Sequence, residues 1–202
     1  MRTFKTARHQ LILLIIRVLT VLILCLMLLN VLNVRAQSIP SEMGSAQGKS
    51  LQAKVRQIYT SEIGVREKPS NSGPQVEKYL KYVHLLRGNP WCAAFVCWVL
   101  GEAGVENPRS GWSPVLFGDR YIIWDRERRT KSKEPGSGDV FGLYFPEKGR
   151  IAHVGFVDHW DGTWMISVEG NTNMAGSSEG DGVYRKRRLI SSVYKVARYI
   201  NH

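Results

Sequence analysis

The residues best suited to chemistry in this chain are a cysteine and a histidine. Cys92 stands at the head of Asn89–Gly104, NPWCAAFVCWVLGEAG, a nearly uninterrupted apolar run between helix signals. Asn89 suits an N-cap, Pro90 suits the first helical position because its missing N–H costs nothing there, and Gly104 suits a left-handed stop. A thiol in the first turn faces unpaired backbone N–H groups and the positive end of the helix dipole, both of which favour the nucleophilic thiolate. The competing reading is core packing, the usual place of a cysteine in an apolar helix. Cys97 takes that second reading. Five residues on, it lies about 140° around the helix from Cys92, too divergent for a disulfide between them.

A thiol nucleophile needs a base within hydrogen-bond reach, and the base needs a third polar group to steer it. With His9 in the leader and His202 at the last position, His84, His153 and His159 remain. In IAHVGFVDHW, His153 shares a strand face with Gly155, which keeps that face open. The next strand, TWMISVEGN, carries Ser167, Glu169 and Asn171 on one side. A two-residue turn at Asp161-Gly162 would set His153 opposite Gly170 and put Glu169 and Asn171 on the wrong face. A three-residue loop over 160–162 sets His159 opposite Thr163 and His153 opposite Glu169, with Asn171 diagonal to it on the same face. That loop, or an equivalent bulge, is therefore expected. His159 lies about 20 Å along the strand from His153 and cannot serve the same thiol. His84 precedes the helix and is the second-choice base.

The elements that must position these residues fall into two halves. Ser50 can cap a helix running to about Ile63, with Leu51, Val55, Ile58 and Tyr59 on one face. Pro74 can open a second helix, Gln75 to about Val83, before the central helix of Cys92. From 105 to 119 the chain is broken by Pro108, Gly111, Pro114 and Gly118. Trp112 in that stretch is either core or cleft-lining, and average aromatic burial favours core. DRERRTKSKE, from Asp125, reads as a solvated loop. Five strand-like segments follow, 138–145, 151–160, 163–168, 182–190 and 194–200, separated by Gly, Asp, Asn or Ser turns. Arg185–Arg188, RKRR, reads as a charged strand edge. Helices first and strands afterwards predict an α+β fold with an antiparallel sheet packed on the helix of Cys92. The sequence holds no internal repeat and no Cys/His cluster with metal-ligand spacing.

The N-terminal stretch has a different character. Arg2, Lys5, Arg8 and Arg17 precede a mostly apolar run from Val18 to about Leu32, then Val34-Arg35-Ala36. Basic region, apolar region and small-x-small site are the order of a secretory signal peptide, with cleavage expected between Ala36 and Gln37. The alternative is an uncleaved anchor, since 11–34 approaches spanning length. Cleavage leaves a Ser-, Gly- and Gln-rich flexible spacer, 37–50, and a domain over 51–202. Five of the 28 basic residues belong to the leader and none of the 17 acidic ones does, so the net charge of +11 drops to +6 after processing. That balance fits contact with anionic wall polymers or headgroups, and equally simple solubility. Two cysteines are too few for a disulfide scaffold at an oxidising address.

PWCAAFVCWVL, GDVFGLYF, IAHVGFV and VEGNTN, in that order and spacing, resemble the CHAP domain. This is a family of cysteine- and histidine-dependent amidohydrolases and peptidases of bacterial cell-wall metabolism and phage lysins, related to NlpC-type and papain-like cysteine peptidases. The resemblance spans about Leu51 to Ile200. It implies a papain-like arrangement in which Cys92 is the nucleophile, His153 the general base, and Glu169 and Asn171 the residues that orient and polarise the imidazole. It implies hydrolysis of an amide in peptidoglycan through a thioester, either muramoyl–alanine amidase or peptide endopeptidase; with the leader read above, the expectation is an exported monomer without cofactor, metal or nucleic-acid partner. The Cys92 N–H offers one oxyanion donor. Trp91 and Trp112 are candidate substrate contacts. The acidic calcium loop of some phage members is not evident. The rival readings are a non-catalytic wall-binding module on the same fold and an amidase for a peptide outside the wall.

Overall fold

The computed structural model describes residues 2–69, 71–128, 130–131, 133–174 and 180–200, with side chains described at 17–30 and from 46 onward except 129–132. The side chains of His9 and of the expected cleavage site Val34–Gln37 lie outside the described set, as do His202 and two positions of the charged run, Arg129 and Ser132. The chain divides into two compact units, Met1–Gln47 and Gly48–His202.

The first unit is helical throughout its described residues, within α1 (Arg2–Ser61). Its apolar run is bare. Val18, Leu22, Leu26 and Leu29 are all more than half exposed. Among the described residues no helix is long and apolar enough to cross a membrane. Because α1 is continuous, Ser50 lies inside it and the stretch expected as a spacer is helix.

In the second unit, the last turns of α1 bury Val55 and Tyr59 and lay Leu51 and Ile58 against the core, the face expected from their spacing. Helix α2 (Pro74–Tyr82) opens on Pro74, and α3 (Cys92–Ala103) ends on Gly104 at φ 84°. Helix α3 is apolar all round and nine of its twelve residues are buried, so it forms the centre of the molecule. It starts later than Asn89 and Pro90 suggest. Asn89 Nδ2 donates instead to the Leu86 carbonyl at 2.9 Å, and the first intrahelical bond runs from Phe95 N–H to the Trp91 carbonyl at 2.8 Å. Cys92 is thus the first helical residue.

Among the described residues, seven strands make one antiparallel sheet: β1 (Ile122–Asp125), β2 (Thr130–Lys131), β3 (Val140–Phe145), β4 (Arg150–Trp160), β5 (Trp164–Thr172), β6 (Gly182–Leu189) and β7 (Lys195–Ala197), in the order β2-β1-β7-β3-β4-β5-β6. Helices ahead of an antiparallel sheet make the fold α+β. The larger core cluster joins the three helices to Val140, Val154, Phe156 and Val168, while a second cluster gathers Phe141, Leu143, Val157, Met165 and Val196. These alternate along the strands, so both faces of the sheet are packed.

The β4–β5 hairpin solves its register by the equivalent bulge. Near the turn Trp160 pairs with Met165 and His159 with Ile166, a longer loop than expected; past a bulge at Asp158, Val157 pairs with Ser167 and Phe156 with Val168. The individual partners differ from those of a three-residue loop. The parity is nevertheless the one required, because the bulge inserts one residue and turns His153 and Glu169 to the same face.

Candidate active site

Each side chain of the site is delivered by a different element. Cys92 heads α3, His153 lies in mid β4, Glu169 near the end of β5 and Arg188 on β6. Two close approaches lock them together. A Cβ on Gly170 would meet Trp91 Cζ3 at 2.7 Å and Phe95 Cγ at 2.8 Å, so the start of α3 rests directly on β5. A Cβ on Gly155 would meet Glu169 Cγ and the Val168 carbonyl, both at 2.8 Å, so only glycine lets the carboxylate cross to His153.

His153 Nε2 lies 2.8 Å from Glu169 Oε2, with both residues buried. Glu169 is held in turn by a bidentate fork: Arg188 Nε donates to Oε1 and Nη2 to Oε2, each at 2.6 Å. The Ser167 hydroxyl donates to Oε1 at 2.5 Å. With Nε2 committed to Glu169, the other ring nitrogen, Nδ1, is buried without a hydrogen-bond partner. Nδ1 is therefore the ring nitrogen left free of any other partner.

The electrostatics favour an ion pair. Burial alone would push the Cys92 thiol up, but the His153 imidazole, the Ser113 hydroxyl and the Val154 backbone outweigh it and hold the thiol below its ordinary value. For His153, burial disfavours the imidazolium, and the neighbouring Cys92 and Glu169 overcome this to raise it to about 9. Glu169 is opposed by burial too, yet Arg188 and His153 hold its carboxyl far below the usual carboxylate range. Thiolate, imidazolium, carboxylate and guanidinium are four charges summing to zero, the condition under which buried charges are tolerated.

Cys92 lies on the wall of a cleft of about 420 Å³, whose rim includes Trp112, Arg109 and Arg150. Ser113 Oγ sits 3.8 Å from Cys92 Sγ. Cys97 is apart from this chemistry, as its position on the helix implies: its thiol, pushed up to about 11 by burial, donates to the Ser110 carbonyl at 3.4 Å and pins the cleft rim to α3.

Three expectations need correction. Asn171 is not against the imidazole. Its Oδ1 accepts the Trp91 N–H at 2.8 Å and its Nδ2 donates to the Gly180 carbonyl at 3.0 Å, so it anchors the entry to α3. At φ 54° it leaves the extended conformation, which turns its side chain off the Glu169 row. Trp91 is no substrate contact through its ring: it is fully buried, stacked on Tyr79, with Nε1–H donating to Glu67 at 2.8 Å. Trp112, favoured as core by average burial and also a candidate substrate contact, takes the cleft-lining place: it is 51% exposed, and the Arg150 guanidinium covers its ring at 4.0 Å. His84 and His159 are exposed, and His84 lines a separate surface depression with Glu77 and Arg87. Arg188 and Ser113 were not singled out by residue type. The alternation Tyr184, Lys186, Arg188 on β6 was the signal that could have found the arginine.

A buried thiol–imidazole–carboxylate line at the head of a helix, packed on an antiparallel sheet, is the constellation of the cysteine hydrolases. The CHAP domain family model matches residues 86–171 of the chain. Members of this family are in general amidohydrolases or peptidases that use a cysteine and a histidine. Neither the curated proteins nor the solved structures returned a match. Among the described residues, no group of three or more His, Cys, Asp or Glu side chains could hold a metal ion.

Proposed function

We propose that the protein is an exported, monomeric cysteine hydrolase that cleaves an amide bond of peptidoglycan. The observation that carries the reading is the unpartnered His153 Nδ1, whose ring is fixed from behind by Glu169 and which acts on a cysteine at the cleft wall. In the first step Cys92 Sγ bonds to the amide carbonyl carbon and the C=O π electrons move to oxygen. The Cys92 N–H has no intrahelical acceptor in the first turn and can donate to that oxyanion. Collapse breaks the C–N bond as His153 passes its proton to the departing amine, leaving a thioester. Water, deprotonated by His153, then attacks the thioester; the C–S bond breaks, a carboxylic acid leaves, and the thiolate–imidazolium pair is restored.

Export is supported by the order of basic, apolar and small-x-small segments in 1–36, and by apolar side chains that α1 leaves uncovered at 18–29. Digestion of purified peptidoglycan by the protein and by Cys92→Ala, with mass spectrometry of the released fragments, tests the assignment. Fragments are expected from the unsubstituted protein alone, and their masses name the bond. Equal release by Cys92→Ala would end the proposal.

A further inference from the structure

The cleft around Cys92 has a charge pattern that the hydrolytic residues do not explain. Arg109 and Arg150 line it and no carboxylate does. Neither arginine belongs to an ion pair among the described residues. Unpaired arginines on a concave surface usually mark a place where a planar anion is received, because the guanidinium fork matches a carboxylate in two parallel hydrogen bonds.

Both side chains are held rather than loose. Arg150 lies flat on Trp112, its guanidinium carbon 4.0 Å from the ring centroid, and Nη1 donates to the Ile151 carbonyl at 3.1 Å, which leaves the rest of the fork free. Arg109 lies over the Tyr82 ring at 4.9 Å. Its backbone sits at φ 47°, a left-handed conformation uncommon for a residue with a Cβ. Strain of that kind at a cleft rim is characteristic of functional positions. Arg150 also occupies one face of the exposed Trp112 ring, and that face is then closed to a stacked sugar.

We propose that Arg109 and Arg150 form a carboxylate-recognition subsite beside Cys92, so that the preferred substrate is a peptide bearing a free carboxylate close to the scissile amide. This rests on the hydrolase reading above and narrows it to acidic peptide rather than glycan at this side of the cleft. The two arginines hold the anion in place while Cys92 and His153 act on the amide, contributing to KM more than to the chemical step.

The test uses a pair of thiol reagents with one warhead and different charge, N-iodoacetylglutamate and its diamide. Alkylation of Cys92 in the full-length chain is followed by peptide mapping, which separates it from Cys97 and the exposed Cys25. The ratio of the acid's rate to the diamide's is expected to fall roughly ten-fold in Arg150→Gln and in Arg109→Gln, the value of one charge-assisted contact. Arg150→Lys should recover part of the ratio, since it restores charge without the fork. A ratio unchanged in both glutamine variants, or acid and diamide rates that fall together, would overturn the subsite. Neither outcome touches the hydrolase assignment, which stands or falls on Cys92→Ala with peptidoglycan.

Discussion

Replacing Glu169 by Gln removes one negative charge from between two cations, and the structure says how far the thiol should respond. An imidazole raised to about 9 against an ordinary 6.5 has its charged form favoured by roughly 3 kcal/mol. Burial opposes that form, so Cys92 and Glu169 together supply it. If Glu169 supplies about half, its loss disfavours the imidazolium by about 1–2 kcal/mol and lowers the matching thiolate about ten-fold at neutral pH. A glutamine amide cannot compensate, because its single oxygen cannot serve both the Arg188 fork and the His153 N–H. The assay is the rate of Cys92 alkylation by iodoacetamide as a function of pH. Cys92 in the unsubstituted protein should react well below the pH at which an ordinary thiol ionises; Glu169→Gln should shift the rise upward by about one pH unit. The double variant Glu169→Gln/Arg188→Met removes the stranded guanidinium, and its profile should remain shifted. Superimposable profiles for the single variant and its parent would refute the charge coupling. A shift cancelled in the double variant would assign the effect to unpaired Arg188 instead.

Two further outcomes follow from the same centre. The folded Glu169 carboxyl lies below its ordinary 4.5, so its contribution to stability is present above that value and is lost as pH falls toward the depressed one; His153 contributes fully below 6.5 and loses its share as pH rises through about 9. The Cys92 thiol, held below its ordinary 9, gains its share as pH rises toward that value and offsets the loss from His153, so the urea midpoint should rise from acid pH to a plateau above about pH 6.5, and a flat profile from about pH 2 to 10 would contradict the buried ion pairs. Gly155→Ala brings a Cβ to 2.8 Å from the Val168 carbonyl, a backbone atom that cannot rotate away, so unfolding free energy should drop by about 1–3 kcal/mol, with peptidoglycan release lost alongside; an alanine variant as stable as its parent would show that the strands can part there.

What the sequence made legible was residue type and strand parity. The helix of Cys92 was visible from its unbroken apolar run, and the pairing of His153 with Glu169 from alternation and the need for an odd shift. The loop length itself was not, because a bulge at Asp158 and a longer turn give the same parity as a three-residue loop. Of the two candidate substrate contacts, Trp91 went to the core and Trp112 to the cleft for a similar reason. Both are large aromatics beside helical turns, and what separates them is tertiary: Gly170 opens a seat for Trp91 on β5, while Arg150 covers Trp112 where no core reaches it. Asn171 shares its strand parity with Glu169 in the sequence, but a left-handed φ breaks the alternation at that residue, and side-chain type alone does not reveal this.

Arg188 is the most instructive omission, since charge counting could have supplied it. A thiolate, an imidazolium and a carboxylate buried together leave one negative charge uncompensated, so a second cation must approach the carboxylate from a neighbouring strand. Beside β5 that strand is β6, and its inward residues are Tyr184, Lys186 and Arg188. Lys186 pairs directly with Ser167 in the ladder, yet its ammonium turns away to the Asn173 and Met174 carbonyls. Arg188, opposite Met165, lies further along the strand but has the reach and the planar fork to engage both carboxylate oxygens at once. The run RKRR therefore divides by parity, Arg185 and Arg187 facing solvent and Arg188 completing the neutral set, and the requirement that selects it is the burial of Glu169 itself.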